Sequence, residues 1–310
     1  MTDHLPRDQS QTFGESRRDF LRSTALLGAA LGLPLPLLAR SSDPDHERLA
    51  AWARALRCEG LSKAAVPLGS SAVRVGELAA GTPYVAGTLE EYLTAGGNPR
   101  DPEPLALSLT RFDCVTLVES CLAVARSAHR YGDPSWERFA QEMERIRYRG
   151  GARLGYTSRL HYFSEWISDG QARGLVHDLG TELGGVEDAR PLRFMSEHRG
   201  SYPALADEEV YREVQAMERR LDNRPRRLVP TSRIADVADR IRSGDVLAFA
   251  TAIPGLDVSH AAFAHRGSDG VLRVLHAPLS GGVVEITRST LPEYVGAIRR
   301  ATGILIARPL

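Results

Sequence analysis

Apolar residues are spaced in two different ways along the chain. In the first half they recur at three- and four-residue steps. After Asp113, the positions Leu117, Val118, Cys121, Leu122, Val124 and Ala125 line one face of a helix predicted from Cys114 to about Arg130. Asp113 suits the N-cap, and Gly132 with Pro134 end the helix. Asp45 to Arg57 reads as a shorter helix. Gly76 to Tyr84 reads as a helix end running into a turn, Asn98 to Pro104 as a loop, and Leu105 to Leu109 as a short apolar stretch. From Gly244 the spacing changes to short apolar blocks: Asp245–Ala250, Ser259–His265, Val271–Ala277, Val283–Thr287 and Gly303–Arg308. Turn signals at Pro254-Gly255, Ser268-Asp269-Gly270 and Gly281-Gly282 separate them and predict an antiparallel meander. Residues 133–228, rich in charge and with helical stretches such as Asp207–Leu221, read as a mainly helical insertion. A cysteine-bearing helix first and a sheet afterwards make the expected class α+β.

The N-terminus carries an address. Ser16-Arg17-Arg18-Asp19-Phe20-Leu21-Arg22 precede an apolar run from Ala25 to Leu38, the pattern of a twin-arginine export signal. Gly28, Gly32, Pro34 and Pro36 interrupt that run, which is short for a membrane span. Ala39 offers a cleavage site, although Leu37 suits poorly three places before it; residues 1–40 are read as signal and 41–310 as a single domain. The expected partner is the twin-arginine export machinery, the expected location periplasmic, and no stable membrane span remains after signal removal. Basic and acidic residues balance at 39 each, so no global field draws the protein to nucleic acid. Three cysteines do not make a disulfide scaffold. Cys114 and Cys121 stand about 10 Å apart along one helix, beyond disulfide reach. Cys58 and Cys121 could pair or remain two inert thiols. HExxH, CxxC, Walker-type and GxGxxG patterns are absent, and the expectation is no metal and no cofactor.

The chemistry centres on Cys114. A cysteine opening a helix meets unpaired backbone N–H groups and the positive end of the helix dipole. Both favour the thiolate, and the same N–H groups can hold an oxyanion. Such a thiol needs a histidine partner. His260, His265 and His276 fall in the strand region. Alternation puts His260 and His265 on opposite faces. His260 opens Ala261-Ala262-Phe263-Ala264, whose small residues admit a helix, whereas His265 abuts the Arg266-Gly267 turn and is expected to face solvent. His276 lies opposite His260 to within one residue, and a one-residue bulge decides whether they share a face. If they do, His276 can orient His260 as the third member of a triad. Tyr84 sits in a Gly-Thr-Pro-Tyr turn. Arg159, His161, Tyr162 and Trp166 cluster as a guanidinium, an imidazole and aromatics, a set suited to a sugar or peptide carboxylate or, more simply, to packing under the insertion.

In order along the chain stand Gly81-Thr82-Pro83-Tyr84, Gly87-Thr88-Leu89-Glu90, Phe112-Asp113-Cys114-Val115-Thr116-Leu117-Val118-Glu119 and Arg159-x-His161-Tyr162 with Trp166. Phe194-Met195-Ser196, Gly255 to His260, Leu275-His276-Ala277 and Gly303-Ile304 to Arg308-Pro309 follow. This ordered set, spanning about residues 74–309, resembles the N-acetylmuramoyl-L-alanine amidase-like branch of the NlpC-type, papain-like cell-wall hydrolases. The resemblance implies a papain-like α+β core, with the cysteine helix packed on an antiparallel sheet. It carries the nucleophile to Cys114, the base to His260, the orienting residue to His276 and a site-shaping role to Tyr84. It implies metal-independent hydrolysis of peptidoglycan fragments at the N-acetylmuramic acid–L-alanine amide. The γ-D-glutamyl–diaminopimelate bond is the alternative, and a non-catalytic cell-wall binding module the reading from another class. Ala262 replaces a common glycine, Pro278 a small polar residue, and Val115-Thr116 the Ser-Gly of the wider superfamily.

Overall fold

The computed structural model describes residues 43–279 and 282–310; the export signal read at residues 1–40 lies outside them. The helices are α1 (Asp43–Cys58), α2 (Leu68–Leu78), α3 (Glu91–Thr94), α4 (Cys114–Tyr131), α5 (Trp136–Arg147), α6 (Phe163–Ala172), α7 (Phe194–Glu197), α8 (Glu208–Leu221), α9 (Ile234–Val237) and α10 (Leu291–Ala297). The strands are β1 (Val176–Asp178), β2 (Val186–Asp188), β3 (Arg226–Pro230), β4 (Val246–Thr251), β5 (Val258–Arg266), β6 (Leu272–His276), β7 (Glu285–Ile286) and β8 (Ala301–Pro309). They form one antiparallel sheet in the order β2-β3-β8-β4-β5-β6-β7, with β1 also pairing β8. Helices and an antiparallel sheet together make the fold α+β.

Both faces of the sheet are buried, which is why the strands read as unbroken apolar runs. Val246, Ala248, Ala261, Phe263, Leu275, Leu305 and Ala307 enter the core under α1, α2, α4, α5 and α6. Leu247, Phe249, Ala262, Ala264, Val274, Ile304 and Ile306 enter a second core with Leu291 and Val295 of α10 and Ile234 and Val237 of α9. The alanines on the first face let α4 lie directly over β5. Glycine does the same at one backbone crossing. Gly244 has φ +90°, and a Cβ there would stand 2.0 Å from the carbonyl oxygen of Gly69 in α2.

The meander reading changes at its last strand. β4 to β7 are a meander, but β8 crosses back to pair with β4 instead of extending the β7 edge. Its doubly apolar run needs cover on both faces, which a central position supplies, and α10 carries the chain across. Residues 133–228 hold α5 to α8 and also β1 and β2, and they reach into β3. Phe163, Trp166 and Ile167 of that stretch fill the main core, while Tyr156, Tyr162, Phe194 and α8 make a third cluster. The stretch thus contributes side chains to the main core as well as to a cluster of its own. In the apolar stretch Leu105–Leu109, Leu109 is buried and its N–H donates to the Asp45 carboxylate at 2.7 Å.

Candidate active site

Cys114 is the first residue of α4. Asp113 caps the helix: its carboxylate accepts the Thr116 N–H at 2.7 Å, and Thr116 Oγ1 accepts the Asp113 N–H at 2.8 Å. This reciprocal pair fixes the start of the helix at Cys114, where helical N–H groups have no carbonyl of their own. A short backbone lacing then ties that tip to the sheet. Phe112 N–H donates to Pro83 and Val85 N–H to Phe112; Tyr84 N–H donates to Gly282, Gly81 N–H to Val284, and Val284 N–H to Thr82. The segment carrying Tyr84 therefore joins the residue two before Cys114 to the chain between β6 and β7.

β5 and β6 supply the imidazoles. Phe263 pairs with Leu275 and Ala264 with Val274. Continued, this register sets His276 against Ala262, two residues from His260 and on the same face. The register left open by sequence thus resolves to an even offset. A bulge does occur, but on the β4 side of β5, between Phe249 and Ala250. His260 Nε2 and His276 Nδ1 stand 2.8 Å apart. The His260 ring stacks on Phe249, with centroids 5.6 Å apart, so the pair faces the second core. The body of α4 covers the other face, and the helix tip comes near Tyr294, a neighbour of His276.

Tyr294 of α10, which sequence reasoning missed, marks that approach. Its hydroxyl is 3.3 Å from His276 Nδ1, and its ring meets His276 edge-on. Its pKa is pushed up by burial first, then by Glu285 and by the charge of Cys114. Cys114 and the histidine pair thus share one phenol as neighbour. The Thr290–Glu293 capping box announces the helix, but not where its tyrosine points. Glu285, directly opposite His276 across β6–β7, places Oε1 3.7 Å from His276 Nε2.

His265 corrects the sequence reading. It is buried on the α2 side, and its Nε2 meets Glu77 at 2.9 Å. Its loop neighbours suggested solvent, but α2 lies over this end of β5. The Arg159 group is also used internally. Arg159 pairs with Glu90 at 2.6 Å and lies over the Tyr156 ring. His161 Nε2 meets the Tyr156 carbonyl at 2.9 Å. Tyr162 is 1% exposed and donates to Glu218 at 2.7 Å; Trp166, at 3%, packs on Phe163. Tyr162 and Trp166 therefore pack the interior, and the structure does not bring them to the Cys114 tip. Tyr84 does join it, through its backbone bridge to Phe112. All three cysteines are unbridged, including Cys58 and Cys121.

Burial sets the charge state. His276 is pushed well below its ordinary pKa by burial and then by His260. His161 is pushed down by burial and then by Arg159. Both are neutral in the fold, whereas in the unfolded chain they gain protons below about pH 6.5. Their contribution is present above that pH and is lost as the pH falls toward the folded values. Each costs up to about 1.4 kcal/mol per pH unit in that window. The thermal midpoint is expected to fall between pH 7 and about 5, and His276→Asn to flatten the slope. A midpoint constant over that range would contradict these assignments.

The AmiA-like family, described as N-acetylmuramoyl-L-alanine amidase-like, matches residues 74–304. A crystal structure of an N-acetylmuramoyl-L-alanine amidase from Bacteroides uniformis is 30% identical, with a TM-score of 0.70 over 78% of this chain and 99% of that one. A Bacteroides fragilis protein described as a candidate xylanase is 33% identical, with a TM-score of 0.68 over 76% of this chain and 98% of that one. A Legionella pneumophila protein shares the fold at 18% identity, with a TM-score of 0.62 over 86% and 94% of the two chains. No curated protein matches the chain.

Proposed function

The chain belongs to the AmiA-like, N-acetylmuramoyl-L-alanine amidase-like family, and on that footing we propose that it is a cysteine amidase with an NlpC-type, papain-like core. It cleaves the amide between N-acetylmuramic acid and L-alanine in peptidoglycan fragments. The observation that carries this reading is the 2.8 Å His260–His276 pair, with Tyr294 a neighbour both of His276 and of Cys114 at the start of α4. With Nε2 of His260 engaged by His276, Nδ1 is the nitrogen that takes the thiol proton. The Cys114 thiolate attacks the lactyl carbonyl, and N–H groups at the helix tip hold the oxyanion. The amide C–N bond breaks, His260 returns the proton to the amine of L-alanine, and a thioester remains on Cys114. Water, giving its proton to His260, releases the sugar acid. Thiol attack of this kind needs no Lewis acid, so the enzyme is metal-independent and chelators leave turnover unchanged.

Tyr84 shapes the entrance from its laced segment, and Arg159 and His161 act behind it through their hold on Glu90 and Tyr156. The fragment enters from the periplasm, after export by the twin-arginine route directed by residues 1–40, and residues 41–310 work as one catalytic domain. A glycosidase reading asks for two carboxyl groups flanking the scissile bond. The groups that converge here are a thiol, two imidazoles, a phenol and the Glu285 carboxylate, which meets His276 and is not one of a pair flanking a bond, and this favours the amidase.

The test is mass spectrometry of one defined muropeptide. The expected products are the free amino sugar acid and the intact stem peptide. A sugar still carrying L-alanyl-D-glutamate would instead establish the γ-D-glutamyl–diaminopimelate endopeptidase. No cleavage, together with a Cys114 that resists iodoacetamide at neutral pH, would mean a binding protein.

A further inference from the structure

His276 presents an unsolved proton. Its side chain is almost fully buried, and its Nε2 has no hydrogen-bond partner. A neutral imidazole carries one N–H, and its position follows from the neighbours. If His260 is to accept a thiol proton at Nδ1, its own hydrogen sits on Nε2 and points at His276 Nδ1. His276 Nδ1 is then an acceptor, and the His276 hydrogen must lie on Nε2. That nitrogen faces Glu285. The two residues are direct cross-strand partners, their side chains share a face, and Oε1 is 3.7 Å away. The Glu285 side chain is half exposed, so a small torsional adjustment brings the carboxylate into hydrogen-bond range.

We propose that Glu285 is a positioning residue that accepts the Nε2 hydrogen of His276 and so extends the site to a Cys114–His260–His276–Glu285 chain. This rests on the reading of Cys114, His260 and His276 given above. The groups that face His276 are His260 from β5, Glu285 from β7 and Tyr294 from α10, with Cys114 at the α4 tip beside Tyr294. Glu285 is the carboxylate among them. Its carboxylate does two separable things. As an acceptor it fixes the His276 tautomer, and through that the orientation of His260. As a charge it stabilises the His260 imidazolium that forms when the thiol ionises. Losing the charge makes that imidazolium easier to deprotonate, so the alkaline limb of the rate profile moves to lower pH.

The experiment compares wild type, Glu285→Gln and Glu285→Ala in the full chain labelled with 15N-histidine. Nitrogen NMR reads the His276 tautomer without reference to turnover, and the pH profile of kcat/KM on a muropeptide reads the charge. Wild type is expected to show the proton on His276 Nε2. Glu285→Ala mixes the tautomers, lowers kcat/KM about tenfold and shifts the alkaline limb down. Glu285→Gln, which still accepts, keeps the tautomer and most of the turnover but shows the same downward shift. A wild-type proton on Nδ1 would overturn the proposal. So would Glu285→Ala with an unchanged tautomer and an unmoved limb, whatever its overall rate. An active Cys114→Ala protein would remove the thiol mechanism while leaving the tautomer result to stand on its own.

Discussion

Cys114→Ala is expected to leave the fold and muropeptide binding in place and to lower turnover by at least about a thousandfold. The expectation has two parts. The cap of α4 is made by the Asp113 carboxylate and the Thr116 hydroxyl, and the thiol has no part in it. Removing one partly exposed sulfur should change stability by less than about 1 kcal/mol. The covalent route, in contrast, loses its thiol, and the other two cysteines stand elsewhere. Cys121 lies seven residues on, fully buried, with its thiol pushed up by burial. Cys58 stands at the end of α1. Neither can substitute. The measurement is steady-state turnover with a thermal melt on the same preparation. A Cys114→Ala protein that melts like wild type and still cleaves would falsify the thioester mechanism.

Arg147→Met is expected to be the most destabilising single change in the body of the fold. Arg147 Nε donates to Glu119 at 2.7 Å and Nη1 to the Ala106 carbonyl at 2.7 Å, with the charged pair at 2% and 3% exposure. This pair bolts α5 to α4 five residues beyond Cys114. Removing the guanidinium strands a carboxylate in the core, at a cost of about 3–5 kcal/mol. For a chain of this size that lowers the thermal midpoint by about 10 °C. The double change Glu119→Leu with Arg147→Met removes both charges and should recover most of the loss, since a well-packed apolar pair often equals a buried ion pair. A single variant as stable as wild type would show that α4 is held by its apolar face alone.

Much of the fold could be read where one local rule governed. The N-cap placed the start of α4 at Cys114, and turn residues bounded β4, β5 and β6 to within a residue or two. What could not be read depended on partners far along the chain. The apolar run of β8 predicts a strand but does not name its neighbours. His265 looked exposed because its cover, α2 with Glu77, lies 188 residues earlier. Arg159 looked available because Glu90, 69 residues before it, could not be seen to claim it. The histidine pair was half legible: its strands were found, but whether they shared a face turned on whether the offset was even or odd. Tyr294 gave no periodic signal at all.

The placement of β8 has a consequence for synthesis. Residues 301–309 leave the ribosome after the other strands of the sheet, yet they sit between β4 and β3 in the middle of it. Until they emerge, β4 has an open edge and both cores lack a wall. The sheet therefore cannot close before residues 301–309 have emerged. An exposed strand edge in that interval is a template for pairing between chains. The hazard passes once Ile304, Leu305 and Ile306 dock, and a chaperone that holds the unfinished edge would shorten it.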